Sequence, residues 1–152
     1  WGTGRPLQHA AYELRCDPEV VLAAVRENAG AFRFACGAAL GDRQVVLSAV
    51  RQQGQGDLLR LADASLKDDR EVVLAAVRSQ GLAIAHASER LRGDREMALE
   101  AIRGDSMALQ HTAFCGDREA VIEAVAKCGW ALQHASPSLQ GDRSVVWAAV
   151  ME

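Results

Sequence analysis

Asp69-Arg70-Glu71-Val72-Val73-Leu74-Ala75-Ala76-Val77-Arg78 is the stretch on which the fold turns, because it returns along the chain with only small changes. Its opening aspartate recurs as Asp17, Asp42, Asp94, Asp117 and Asp142, so that successive copies start 25, 27, 25, 23 and 25 residues apart. A period of this size marks an array of small units, none of which can bury its apolar side alone. Both departures from 25 fall where connections belong. Gln53-Gly54-Gln55-Gly56 adds two residues, and the stretch from Thr112 to Gly116 drops two; loops tolerate such changes and packed elements do not.

Within each copy the residue chemistry specifies a helix of about 11 residues. The aspartate is an N-cap whose carboxylate can accept hydrogen bonds from the free amides of the first turn. Pro18 follows Asp17 at the helical position that best tolerates proline. Glu19, Glu71, Glu96 and Glu119 occupy the first turn, and Arg26, Arg51, Arg78 and Arg103 the last, so both ends complement the helix dipole. Gly54, Gly81 and Gly129 are expected to terminate these helices. Val72, Val73, Leu74, Ala76 and Val77 cover more than one stripe, as do Val20 to Val25, Val45 to Val50 and Val145 to Val150, which predicts burial on several sides.

The second half of the unit reads Trp130-Ala131-Leu132-Gln133-His134-Ala135-Ser136, matched by Leu82 to Ser88, Met107 to Ala113, Ala31 to Cys36 and, incompletely, Arg5 to Ala11. This is a short second helix. Ser136-Pro137 then resembles a new cap with proline behind it, so a separate single turn is expected before Gly141. The fold class is therefore all-α, an α-solenoid of about six helix-turn-helix repeats of roughly 25 residues. It forms one array over residues 1–152, with partial repeats at both ends and no polar end-repeat. Trp1 and Val150 are accordingly expected to be covered by other protein. A start at Trp1, without methionine, is expected of a processed chain or of a segment of a longer one.

The paired strings Asp69 to Val77 and Gly129-Trp130-Ala131-Leu132-Gln133-His134-Ala135-Ser136 resemble the repeats of the family catalogued as domain of unknown function 4116, which occurs in bacteria and unicellular algae. The resemblance runs over essentially the whole chain. Ala29 and Ser106 depart from it by replacing the interhelical glycine, and Met97-Ala98 by replacing the valine pair. The family implies a helical-repeat architecture and supplies neither an activity nor functional residues.

Composition bounds the function. Apolar residues make up 49% of the 152 residues and aromatics only 5%, so the core must rest on aliphatic packing between closely approaching helices. The 17 basic and 20 acidic residues leave a net charge of −3, too balanced to draw nucleic acid or anionic membrane by charge. Every apolar run is broken by Asp, Arg, Glu or Gln within about ten residues, well short of the ~20 a membrane span requires. Cys16, Cys36, Cys115 and Cys128 form no Cys-x-x-Cys pair, are too sparse for a disulfide scaffold, and read as buried small residues of a reducing compartment.

Three groups of residues invite a functional reading. His9, His86, His111 and His134 share one position of the second helix, which Phe34 and Leu61 fill elsewhere. A slot that accepts His, Phe and Leu alike is a packing slot, and neighbours one repeat apart, roughly 10 Å, cannot share a metal. Arg43, Arg70, Arg95, Arg118 and Arg143 repeat charge along one edge, each beside a capping aspartate. They are a candidate interaction edge, of the regular kind that helical repeats use on RNA, although the adjacent acids make the edge nearly neutral. Gly2-Thr3-Gly4-Arg5 and Gly54-Gln55-Gly56-Asp57 lack the Lys-Ser/Thr of a phosphate cradle and read as turns.

No convergent catalytic set remains, so the expectation is a non-enzymatic scaffold or protein-interaction module with no cofactor or metal, a subunit or segment of a larger assembly whose partners are other proteins. A narrower form makes it a peripheral subunit of an organellar, photosynthetic membrane complex, with the chloroplast as its compartment. It follows from the algal occurrence of the family and from the near absence of lysine, Lys67 and Lys127 being the only two among the 17 basic residues. The alternative is an RNA-binding repeat using the Asp-Arg edge.

Overall fold

The computed structural model describes residues 5–151, which form α-helices and 3-10 helices and, among the described residues, no strand. Trp1 and Gly2-Thr3-Gly4, for which the sequence suggests a turn, lie outside them. The capped helices are Pro18–Glu27, Arg43–Val50, Arg70–Ser79, Arg95–Gly104, Arg118–Val125 and Arg143–Val150. They run 8 or 10 residues, somewhat less than the sequence suggested.

All six aspartates cap as expected. Asp42 Oδ1 accepts from Val45 N at 2.9 Å, Asp94 Oδ1 from Met97 N at 2.9 Å and Asp117 Oδ1 from Ala120 N at 3.0 Å. Asp69 and Asp142 each accept from two first-turn amides, and Asp17 from Glu19 N. Such a cap stabilises a helix by about 1 kcal/mol, which matters for helices of only two or three turns.

The second helix of each unit is wound more tightly than an α-helix. The 3-10 helices are Arg5–His9, Ala29–Phe34, Gly56–Leu61, Gly81–His86, Ser106–His111 and Gly129–His134. At four of the junctions one extended residue, Asn28, Gln80, Asp105 or Cys128, closes the preceding α-helix by donating its N–H to Ala24, Ala76, Ala101 or Ala124 O. Three residues per turn then set the first and fourth side chains on one side. In this way Ala29 with Phe32, Gly56 with Leu59, Gly81 with Ile84, and Ser106 with Leu109 are buried together. Each unit closes with the expected single turn at Ala38–Gly41, Ala64–Lys67, Glu89–Arg92 and Pro137–Gln140, and Tyr12–Cys16 precedes the first unit. Where the sequence loses two residues, between Thr112 and Gly116, only turns remain.

Capped helices stack on capped helices, and each of the four 3-10 helices from Ala29–Phe34 to Ser106–His111 lies against its own capped helix, the next repeat's, and the next 3-10 helix. The result is a two-layer array. Its apolar interior divides at the fourth repeat: Met97, Ala101 and Ala108 pack with the N-terminal cluster, and Ile102 and Leu109 with the C-terminal one.

Gly81 and Gly129 do not end helices by adopting a left-handed conformation; their φ angles are negative. They are the close-approach points between layers, since a Cβ would come within 2.5 Å of Ala101 O at Gly81 and 2.3 Å of Ala149 O at Gly129. Gly56 stands in the same relation to Ala76 O, at 2.4 Å. Gly54, at φ 74°, is the glycine whose conformation the turn requires. Ala29 and Ser106 keep the 3-10 turn intact, and the capped helices they face, Arg43–Val50 and Arg118–Val125, stop after 8 residues.

One further backbone bond per step joins successive connections. Cys36 N donates to Arg15 O, Asp63 N to Leu40 O, Ser88 N to Lys67 O, Ala113 N to Arg92 O and Ser136 N to Cys115 O, at 2.7–3.3 Å.

Candidate interaction surfaces

The arginines of the Asp-Arg edge do not pair with the aspartates beside them; they reach forward one repeat. Arg43 Nε donates to Asp69 Oδ2 at 2.9 Å, and its guanidinium also meets Glu71. Arg70 meets Glu96, and Arg95 donates to Asp117 at 2.6 Å and to Glu119 at 2.5 Å. Arg118 bonds Ser144 Oγ at 2.6 Å and lies 3.9 Å from Asp142. Arg143 has no acidic partner among the described residues. A parallel row uses the last-turn arginines: Arg78 pairs with Glu100 at 3.0 Å, Arg103 with Glu123 at 2.8 Å and Arg51 with Glu71 at 3.2 Å.

These pairs have a common cause. An arginine at the first helical position sits about one repeat-width from the next N-cap, and its fork fits a carboxylate. The electrostatics follow: the Arg43 guanidinium holds the Asp69 carboxyl below its usual range, and Arg95 does the same to Asp117. Asp69 and Glu71 in turn push the Arg43 guanidinium upward. All are solvent-exposed pairs, individually weak because water screens them, but repeated along the edge they tie each repeat to the next.

The shared position of His9, Phe34, Leu61, His86, His111 and His134 is the last residue of every 3-10 helix. His9 is exposed and the other five are half-buried. His86 Nε2 lies 3.1 Å from Asp57 Oδ1 of the preceding repeat. Burial pushes the Asp57 carboxyl up, and the hydrogen bonds from His86 and Arg60 outweigh it, leaving Asp57 below its usual range. Burial pushes the His111 imidazole down, reinforced by Arg92, His86 and His134. His134 Nε2 is buried without a hydrogen-bond partner among the described residues. Among those residues no cluster of three or more His, Cys, Asp or Glu side chains could hold a metal ion.

The cysteines depart from the sequence reading. None is buried; all four are half-exposed. Cys16 Sγ and Cys36 Sγ stand 2.7 Å apart, a proximity that neither spacing nor periodicity signalled.

Among the described residues, four of the six exposed large apolar side chains lie in the fifth and sixth repeats. Trp130 is 79% exposed and Trp147 62%, with Val150 and Met151, close to Trp147 in sequence, also open to solvent. In register with Trp147 are Leu22, Leu47, Leu74, Leu99 and Ile122, all of which are buried or packed against the core. Gly129, Trp130, Leu132, Gln133, Gln140 and Ala149 line a groove of about 760 Å³ at this end. Smaller grooves of about 470 Å³ and 250 Å³ lie between repeats, the first lined by Arg51, Glu71 and Arg78 and the second by Arg92, Gln110 and His111. The sequence did mark Val150, but not the two tryptophans, since a tryptophan in an apolar helix face looks like core. No described helix is long and apolar enough to cross a membrane.

Three segments of the chain, residues 42–92, 69–113 and 117–152, match the model of one protein family, Domain of unknown function (DUF4116). Together they take in well over half of the sequence. No curated protein and no solved structure matches the chain.

Proposed function

The chain belongs to the DUF4116 family of domains of unknown function, and from that premise we propose that it serves as a non-enzymatic helical-repeat scaffold within a larger protein assembly. The observation that carries this reading is the set of exposed large apolar side chains in the fifth and sixth repeats, Trp130 on the 760 Å³ groove and Trp147, Val150 and Met151 on and just after the last capped helix. Large apolar side chains left in solvent mark association sites, and tryptophan is among the residues most enriched in the side chains that dominate interface energies. The polar groups elsewhere support it by being spent internally. Edge arginines are engaged by the next repeat's carboxylates, and capping aspartates by backbone amides.

The test compares the chain with a Trp130→Ser/Trp147→Ser form, by light scattering alone and as bait in an extract of its own cells. The expected result is a defined protein partner retained by the first and released by the second. A monodisperse monomer that retains nothing, or a partner held equally by both forms, overturns the reading. Its narrower form, a peripheral subunit of an organellar membrane complex, is removed if fractionation finds the native protein free in the cytosol. The rival, RNA binding through Arg43, Arg70, Arg95, Arg118 and Arg143, has less support because four of the five already hold acceptors in the next repeat. Absence of RNA affinity in a salt series, even at low ionic strength, dismisses it.

A further inference from the structure

We propose that Cys16 and Cys36 form a reversible dithiol–disulfide site, oxidised by a low-molecular-weight disulfide of the glutathione type, which staples the turn ahead of the first repeat to the connection that follows its 3-10 helix.

Four observations on the fold carry this. The two sulfurs are 2.7 Å apart, closer than non-bonded sulfurs normally approach and about 0.7 Å beyond a disulfide bond. The backbone beside them is already fixed, because Cys36 N donates to Arg15 O at 3.0 Å as one rung of the ladder that joins successive connections. Gly37, at φ 53°, carries the chain over the Cys16 sulfur, which would lie only 3.0 Å from a Cβ there.

The register of the repeats supplies the fourth observation. The residue after each rung's acceptor, Cys16, Gly41, Asp68, Gly93 or Gly116, stands one position from the bond made by the residue that donates, Cys36, Asp63, Ser88, Ala113 or Ser136. Asp68 and Ser88 are hydrogen-bonded to one another at this position, and a Cβ on Gly41 would meet Asp63 Oδ2 at 2.6 Å. The fold thus juxtaposes the two positions at the Gly41–Asp63 and Asp68–Ser88 steps, and at the first step it places two thiols there. Cys115 differs; its Sγ donates to Leu109 O, and it meets no second sulfur among the described residues.

The chemistry is a pair of exchanges. The Cys16 thiolate attacks one sulfur of glutathione disulfide, forming a mixed disulfide and releasing one glutathione thiolate. Cys36 then attacks the Cys16 sulfur, closing the Cys16–Cys36 bond and expelling the second glutathione. Two thiols lose two electrons to the disulfide, and their two protons end on two molecules of glutathione. Burial and the neighbouring Cys16 push the Cys36 thiol up while Arg15 draws it down, which suits Cys36 to the second step, where its target is already in contact. Both cysteines are half-exposed, so a small disulfide can reach them.

The test uses the whole chain, equilibrated with mixtures of reduced and oxidised glutathione, alkylated with N-ethylmaleimide and read by intact mass and peptide mapping. The oxidised chain is expected to lose two hydrogens, take up two fewer maleimides and yield a peptide linking Cys16 to Cys36. Its heat-unfolding midpoint should rise by roughly 5 °C and return on reduction, because the bond constrains the unfolded chain. Cys16→Ser and Cys36→Ser chains should stop at a mixed disulfide. Four alkylatable cysteines after oxidation, a mixed disulfide that persists in the unaltered chain, a link between any other pair, or a link that leaves the midpoint unmoved overturns the proposal.

Discussion

Gly81 lies so close to the following repeat that a Cβ on it would stand 2.5 Å from the carbonyl oxygen of Ala101. The layer of 3-10 helices touches the layer of capped helices through backbone at this point, with no side chain between. A methyl group there must push the repeats apart or displace the carbonyl. Gly81→Ala is therefore expected to destabilise the chain by about 2–3 kcal/mol. The matched control is Gly93→Ala, whose Cβ would make only ordinary contacts, the nearest at 3.4 Å; it should stay within about 0.5 kcal/mol. Urea unfolding of both forms, followed by circular dichroism, decides the comparison.

Asp69 combines two roles, accepting first-turn amides from Glu71 and Val72 and the guanidinium of Arg43. Asp69→Asn keeps an oxygen for the amides and loses the charge, and should cost about 0.5 kcal/mol. Asp69→Ala loses both and should cost about 1–2 kcal/mol. If the two substitutions shift the urea midpoint equally, the cap contributes nothing and the account of this helix start fails.

Leu109 is fully buried in the fourth repeat's 3-10 helix, next to the exposed Gln110. Leu109→Ala removes side-chain volume from the C-terminal core cluster and should cost about 3–4 kcal/mol. Gln110→Ala should be neutral within about 0.5 kcal/mol. Hydrogen exchange should show the loss of protection for Leu109→Ala concentrated in the fourth and fifth repeats, because each repeat rests only on its neighbours.

Acid should loosen the array in a defined order. His111 is held below its ordinary value by burial, so its neutral form is favoured on folding; that contribution is complete above about pH 6.5 and is lost as pH falls through the lower folded-state value. Asp69, Asp117 and Asp142 are depressed by Arg43, Arg95 and Ser144 respectively. Their contribution is complete above the ordinary aspartate value of about 3.9 and disappears as pH falls below it. Stability measured by heat unfolding should thus fall slightly from pH 7 to 5 and steeply below about 4. A His111→Gln chain should lack the first step and keep the second.

The helices and their starts were legible because their signals are local. An aspartate cap acts on amides two or three residues away, and the valine-rich face is a run of neighbours. The second helix was found but its winding was not, since an apolar string of six residues suits an α-helix or a 3-10 helix equally and only contact with two capped helices selects between them. Gly81 and Gly129 were assigned to helix ends by their place in the string, whereas what excludes a side chain is the carbonyl of a residue 20 positions further on. In the sequence each edge arginine stands next to its own capping aspartate. The structure pairs Arg43 with Asp69 and Glu71 instead, because stacking sets the next N-cap nearer to the guanidinium fork than its own neighbour's carboxylate.

By itself, then, the sequence determined the period, the class of element and the place of each cap, all of which follow from chemistry within one turn of chain. Only the tertiary structure decided which residues of different repeats touch: Gly81 on Ala101, Arg95 on Asp117, Cys16 on Cys36. Those contacts depend on the rise and rotation from one repeat to the next, a quantity set by how all the buried side chains pack together, and no single stretch of residues encodes it.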